Sequence, residues 1–473
     1  MKVAFNKIKI TPKDYIGMPM AGYTRPNPCL GKLDDIYAYG VLIEETGLED
    51  KKKQILLISL DLLKVPLVLA NYIKKQIINN FKFLEQEYIF IHATHTHSAP
   101  DLTGEFYWPG GTFNFLKGIM FGANRNDRYI VWFTRQIVKM IAVMYKKIKT
   151  CKLAWKKKPF NPQIVIHRKF PTKELKLELG VIVFRSLDSN ELIGFIINYS
   201  CHPTTLSYLN NKLSADYPGR IVFKIGELTN DRIEIAFFNG PAGNLNPITT
   251  CGTNYEKLEK NKVLVYDQLG TYVHTEKIGY KIGEEALKLA ESIPIDAFFE
   301  NLKLSTCLKN IWIPLKDFKY FSKTWFMNKL KFVLKKHFLI PISRVIQVNF
   351  PKFTIKHYSF KSRAKSIVQV LNFEVFKNSR KNSKVFDMIF VPGELYEEIG
   401  ENLLENAPQG EKNTFIFQNV NDWIGYLFPV EDYIEQGGWE AFAGFSPICG
   451  HYIETSILEL FKEIKDKTLS KKF

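Results

Sequence analysis

Three of the nine histidines in this chain stand within six positions of one another, in the stretch YIFIHATHTHSAP from Tyr88 to Pro100. His95 and His97 are one residue apart, directly behind a run of strand-forming residues. In an extended backbone alternate side chains share a face, so these two are predicted to look into one site while His92 points away. Other groups suited to chemistry follow apolar runs in the same manner: His202 in NYSCHPTT, Asn244 and Asn246 in GPAGNLNP, Glu394 in VPGELY, and Tyr426 in NDWIGY. Two or more imidazoles with a carboxylate are the usual means of holding Zn²⁺, which takes nitrogen and oxygen ligands and keeps a water when the site is catalytic. Such a metal lowers the pKa of its water towards about 7 and polarises a carbonyl, which is the chemistry of hydrolysis. Each piece also has an ordinary structural use. An isolated HxH is often a hydrogen-bonded pair, a PGE turn enters a helix with its glutamate favoured in the first turn, and a tyrosine fills a core. The combination is informative because separate strands each deliver a suitable group at one edge.

The elements that must do this positioning are short β-rich runs ending in polar or Gly/Pro turns: ILLISLDLL, EYIFIHATHTHSAP, ELIGFIINYSCHPTT, IEIAFFNGPAGNLNP, DMIFVPGELY and TFIFQNVNDWIGY. Between them lie helical patterns. Ile130, Phe133, Ile137, Ile141, Met144 and Ile148 recur at three- and four-residue steps within 127–149, and Leu395, Ile399 and Leu403 do so after PGE. Strands alternating with helices predict an α/β fold, a mixed sheet core flanked by helices, with ligands beyond the carboxyl ends of the strands. No repeat, Gly/Ser linker or low-complexity block divides the chain, so residues 1–473 are expected to form a single large domain. The last helical stretch, HYIETSILELFKEIKDK, runs almost to Phe473 and predicts no further C-terminal module.

Composition narrows the class. With 46% hydrophobic and 24% charged residues the chain reads as an ordinary globular protein, rich in aromatics through 37 Phe and 22 Tyr. The net charge is +17, but it is concentrated: residues 316–365 hold eleven Lys and two Arg against Asp317 alone, so this segment carries +12 and leaves +5 elsewhere. No recognised fold motif for nucleic acid accompanies the charge, and nucleic-acid binding is not expected. Within the segment, Trp325, Phe326, Leu330, Val333 and Leu334 can form one helical face, with Asn328, Lys331, Lys335 and Lys336 largely on the other. Such a helix either packs on its own domain or lies in an anionic membrane interface. Six scattered cysteines without a CxxC pair read as reduced thiols. No signal-peptide core and no run near the ~18 apolar residues of a membrane span is evident, which predicts a cytoplasmic protein, with peripheral membrane contact through the basic segment. No obligate protein partner is evident.

Taken in order, Ile10 to Pro12 (ITP), the THTHSxP segment, HPT, the GNLNP loop, VPGE, and a tyrosine followed shortly by EDY make the chain resemble the neutral, non-lysosomal ceramidases, amidases that cut the N-acyl bond of ceramide to give sphingosine and a fatty acid. The resemblance implies one zinc ion per chain, held by His95, His202, Glu394 and Tyr426. It implies that His97 contacts the substrate or the developing oxyanion. The pattern departs in one loop. Where ceramide-cleaving members carry GDVSPN, with a serine assigned a catalytic role, this chain has Asn244 for the aspartate and Asn246 for the serine. Asparagine is no nucleophile but donates to an oxyanion, so Asn246 is expected to act catalytically in that way, Asn244 to contact substrate, and a metal-activated water to attack. The immunoglobulin-like C-terminal domain of longer members is not expected here. The implied substrate is a lipid amide, collected from a bilayer, with the aromatic loop GEFYWPGGTFNFLKGIMFG lining an acyl pocket. A metal hydrolase of a non-lipid amide or ester, and a non-catalytic lipid-binding relative, remain as alternatives.

Overall fold

The β-branched and aromatic runs form strands where the sequence predicts them. A computed structural model describes residues 1–473 except 24, 26, 46–52, 105, 107–124, 250–268, 315–358, 361–362, 378–382, 433–443, 445, 447 and 470–473. The basic segment 316–365, apart from its end in a strand, and nearly all of the aromatic loop after the HTH motif lie outside the described residues.

The first sheet has eight strands in the order β11-β9-β8-β6-β1-β3-β4-β5. These are β1 (Lys2–Lys9), β3 (Tyr37–Glu44), β4 (Gln54–Leu60), β5 (Ile89–Ala93), β6 (Lys149–Pro159), β8 (Glu178–Ser186), β9 (Leu192–Tyr199) and β11 (Glu234–Asn239). Most neighbours are antiparallel, but β4 with β5 and β9 with β11 are parallel. The second sheet runs β13 (Asn301–Pro314), β15 (Arg363–Phe376), β16 (Lys384–Phe390) and β18 (Thr414–Phe417), with the short β14 (Ser359–Phe360) also on β15. Its β16–β18 pair is parallel. The core is thus mixed sheet, as the sequence predicts, arranged as two sheets.

Aromatic side chains join the sheets: Phe90 stacks on Phe390 with centroids 4.0 Å apart, and Trp155 meets Phe386 at 4.5 Å. Helices cover the outsides. α1 (Leu67–Asn80) and α2 (Asp127–Lys147) bury Ile73, Ile77, Phe133 and Ile137 in one apolar cluster with Leu42, Leu56 and Ile58 of the first sheet. The predicted helix at 127–149 is therefore present, ending where Lys149 opens β6. α3 (Asp216–Thr229) and α4 (Tyr272–Glu291) pack on each other and against β8 and β11. α5 (Glu397–Glu405) and α6 (Cys449–Leu469) close the second sheet, where Ile399, Leu403, Ile453 and Ile457 meet Val368, Val370 and Ile389. Cys29, Cys151 and Cys201 are buried free thiols, in keeping with the reduced state read from the sequence. Among the described residues no helix is long and apolar enough to cross a membrane.

Three short pairings finish the scaffold among the described residues, the first being β2 (Gly31–Lys32) parallel to β10 (Lys212–Leu213). β7 (Val165–His167) runs antiparallel to β12 (Leu245–Pro247), setting Ile166 opposite Asn246, and β17 (Glu394–Leu395) runs parallel to β19 (Tyr426–Leu427), setting Glu394 opposite Tyr426.

Candidate metal centre

The parallel pairs supply the carboxyl ends at which the predicted groups gather. His95 and His97 follow β5, His202 follows β9, Asn244 and Asn246 follow β11, Glu394 follows β16 and Tyr426 follows β18. The route by which His95 and His97 meet differs from the sequence expectation. The strand ends at Ala93, and His95 has φ +70°, a left-handed conformation rather than an extended one. The two rings still converge, 5.1 Å apart, and lie 4.7 Å and 5.1 Å from that of His202. His92 does point away, between Ser59 Oγ at 2.8 Å and the Asn239 backbone N–H at 3.3 Å.

Hydrogen bonds fix the imidazoles. His95 Nδ1 lies 2.7 Å from Leu63 O and His202 Nδ1 lies 3.1 Å from Ala242 O. A carbonyl only accepts, so each Nδ1 carries the proton and donates, and each Nε2 presents a lone pair. Both lone pairs face the same acid: Nε2 of His95 is 3.2 Å and Nε2 of His202 is 3.7 Å from Glu394 Oε2. That oxygen has no hydrogen-bond partner, whereas Glu394 Oε1 accepts from Trp423 Nε1 at 2.9 Å. Burial pushes the Glu394 carboxyl up, but the neighbouring His95, His202 and Arg168 outweigh it and hold it at about 2. Burial drives His202 down to about 3 and His97 well below its ordinary value, with His95 adding to both. A buried, ionised carboxylate facing imidazole Nε2 lone pairs is the donor set a divalent cation requires, and Nδ1 donation to backbone carbonyls is the orientation metal-binding histidines adopt. These residues fit zinc.

Tyr426 stands beside the acid through the β17–β19 register, with its ring 6.4 Å from that of His202 and nearly parallel to it. Its hydroxyl accepts from Arg168 Nη1 at 3.2 Å. Arg168 also donates to Asn246 Oδ1 from Nη2 at 3.1 Å, which leaves Nδ2 as the donor end of that amide. His97 Nε2 lies 3.2 Å from His202 Nε2, and its Nδ1 has no partner. The Tyr23 ring packs 4.6 Å from the His97 ring, and Arg25 Nη2 donates to His97 O at 2.6 Å.

Asn244 lies outside this convergence. Its Oδ1 accepts the Glu397 backbone N–H at 2.9 Å, its Nδ2 donates to Glu398 Oε2 at 2.7 Å, and it is wholly buried, so its amide braces the loop. The nearby group of His167, Glu397 and Glu398 is also close enough to gather a cation, but its protons are arranged the other way. His167 Nδ1 accepts the backbone N–H groups of Lys169 (3.2 Å) and Phe170 (3.0 Å), which places the proton on Nε2, facing the carboxylates. Lys173 pairs with both glutamates and supplies the cation.

Sequence reasoning missed Arg168, Trp423, Tyr23 and Arg25. Arg168 follows a three-residue strand too short to show a period, and none of the four belongs to a motif whose spacing marks it.

No protein-family model and no curated protein matches the chain. Solved structures do. The neutral ceramidase from Pseudomonas aeruginosa superimposes with a TM-score of 0.71 at 15% identity, over 98% of this chain and 74% of that one. A ceramidase complexed with C2 does so with a TM-score of 0.71 at 13% identity, over 98% and 75%. At such identities the likeness is one of architecture, and along nearly its whole length this chain carries the neutral ceramidase fold.

Proposed function

We propose that the protein hydrolyses the N-acyl amide bond of a ceramide-like lipid, with one zinc ion held by His95, His202, Glu394 and Tyr426. The observation that carries this reading is the convergence of the two Nε2 lone pairs on the unpartnered Glu394 Oε2, within a fold shared with ceramidases. Zinc bound there would supply a Lewis acid for the amide carbonyl and acidify a water molecule. The chain's own groups do the rest. Arg168 holds the Tyr426 hydroxyl and the Asn246 carbonyl, directing the Asn246 Nδ2 donor towards charge that develops on the carbonyl oxygen. His97, kept neutral by burial, offers a second polar contact on the other side. The basic aromatic segment 316–365 is the part of the chain proposed to meet an anionic membrane.

Fatty-acid release from a labelled N-acylsphingosine in mixed micelles tests the reading, before and after chelation and zinc re-addition. Release should vanish with chelator and return with zinc, and His95→Ala or His202→Ala should lose both metal and turnover. Full activity with retained zinc in either variant would refute the ligand assignment. Because Asn246 stands where a catalytic serine is expected, the same assay has a second use: a folded, zinc-loaded protein that releases no product is either a hydrolase of another acyl compound or a lipid-binding relative.

A further inference from the structure

A cavity of about 500 Å³ opens between α1, the turn at 85–87 and the outer strands of the second sheet, and none of the imidazoles lines it. That volume falls in the range of ligand pockets. Its wall from α1 holds Lys74, which occupies the helix's apolar face beside Ile73 and Ile77, is 4% exposed, and meets no acceptor among the described residues. An amine so placed is costly, because burial without a partner penalises the charged form. Burial pushes Lys74 down to about 7. The opposite wall holds Asn421, whose Oδ1 accepts the Ile91 N–H at 3.0 Å and whose Nδ2 has no partner. It adopts φ +63°, a strained conformation held by that bond and by its own N–H donating to Ile91 O at 2.7 Å. The unpartnered Asn421 Nδ2 and the Lys74 amine therefore border one cavity. Leu308 and Ile367 add apolar wall, and Glu85 and Glu87 are the acidic groups lining it.

We propose that this cavity binds a small organic monocarboxylate, whose oxygens accept from Lys74 Nζ and Asn421 Nδ2 and whose short apolar part lies against Leu308 and Ile367. One carboxylate matches one ammonium. A doubly charged phosphate would leave excess negative charge beside Glu85 and Glu87, which selects against it. The proposal is independent of the metal site and of its reaction.

Thermal unfolding with sodium propionate against sodium chloride of equal ionic strength tests it, with inorganic phosphate as a third arm. Propionate should raise Tm of the wild-type protein and leave Lys74→Met unmoved, while Lys74→Met without ligand should itself melt higher, having lost an unpaired buried amine. A propionate response that is absent, or equal in both proteins, overturns the proposal, and a phosphate response as large overturns its selectivity. Should the variant not fold, the wild-type protein still decides. Limited acetylation by acetic anhydride near neutral pH, read by peptide mass spectrometry, should mark Lys74 ahead of lysines that stay protonated, and propionate should slow that mark several-fold. A Lys74 that stays unlabelled, or is labelled at the same rate with propionate, refutes the site.

Discussion

The two oxygens of Glu394 are used differently: Oε1 accepts from the Trp423 indole, while Oε2 faces His95 and His202. A carboxylate free to rotate would lose that aim, so the indole acts as an orienting donor. Such outer contacts typically affect metal affinity about 10–100-fold. Trp423→Phe leaves an aromatic ring beneath Lys64 Nζ, which lies 4.1 Å from the indole, and removes the N–H together with the five-membered ring that carries it. It is expected to weaken zinc binding by roughly one to two powers of ten, read by competition with a chromogenic chelator, with the fold intact by circular dichroism. Unchanged affinity would show that the indole has no part in aiming the acid. At this scale the sequence is legible where chemistry narrows the choice. Histidines, a PGE glutamate and a tyrosine after strand-like runs stand out because few other roles need them in that order. Trp423 and Arg168 do not, since an indole and a guanidinium serve packing and solvent contact throughout any chain.

The elements show why the gathering works and where the reading fell short. Gly22 has φ +96°, and a Cβ there would lie 2.5 Å from His97 Cγ, so the residue opposite the HTH turn has to be glycine for His97 to keep its place. Nothing in the local sequence marks that contact, because the two are brought together only by the folded chain. The long hairpin of β13 and β15 was missed as well, although its alternation is visible in NLKLSTCLKNIWIP. Its halves are separated by the basic segment, and pairing across such an interval leaves no local signature. Within this sheet Asp387 of β16 is wholly buried; its Oδ1 accepts from Asn372 Nδ2 at 2.7 Å, while Oδ2 has no partner. Burial raises its carboxyl to about 7, against the opposing hydrogen bond. Between about 4, where the unfolded carboxyl titrates, and about 7, the native state holds a proton that the unfolded state has lost. Stability from this group is therefore present at low pH and lost as pH rises through that window. Asp387→Asn keeps the acceptor for Asn372 and stays neutral, so its urea midpoint should fall less from about pH 5 to about pH 8 than that of the wild type. Identical slopes would show that Asp387 is ionised throughout.

Across the whole molecule, the candidate ligands are contributed by both sheets: His95 and His202 leave strands of the first, while Glu394 and Tyr426 leave strands of the second. An ion held by all four would bridge the two layers. The architecture tolerates great divergence, with 15% identity to a ceramidase over 98% of this chain, because apolar alternation can be met by many residues. The same freedom is why the sequence conveys the layering poorly. Apolar runs announce strands but do not say which sheet each will join. A ligand that binds only the native state stabilises it by about 4 kcal/mol at a thousandfold excess over Kd. Removing zinc from the folded protein is therefore expected to lower Tm by several degrees, and stoichiometric zinc should restore it. In His202→Ala, chelator should leave Tm where it was, since the bridge between the layers is already gone. A wild-type Tm indifferent to chelator and to added zinc would show that no ion joins the two sheets, and the four side chains would then have to be explained by their hydrogen bonds alone.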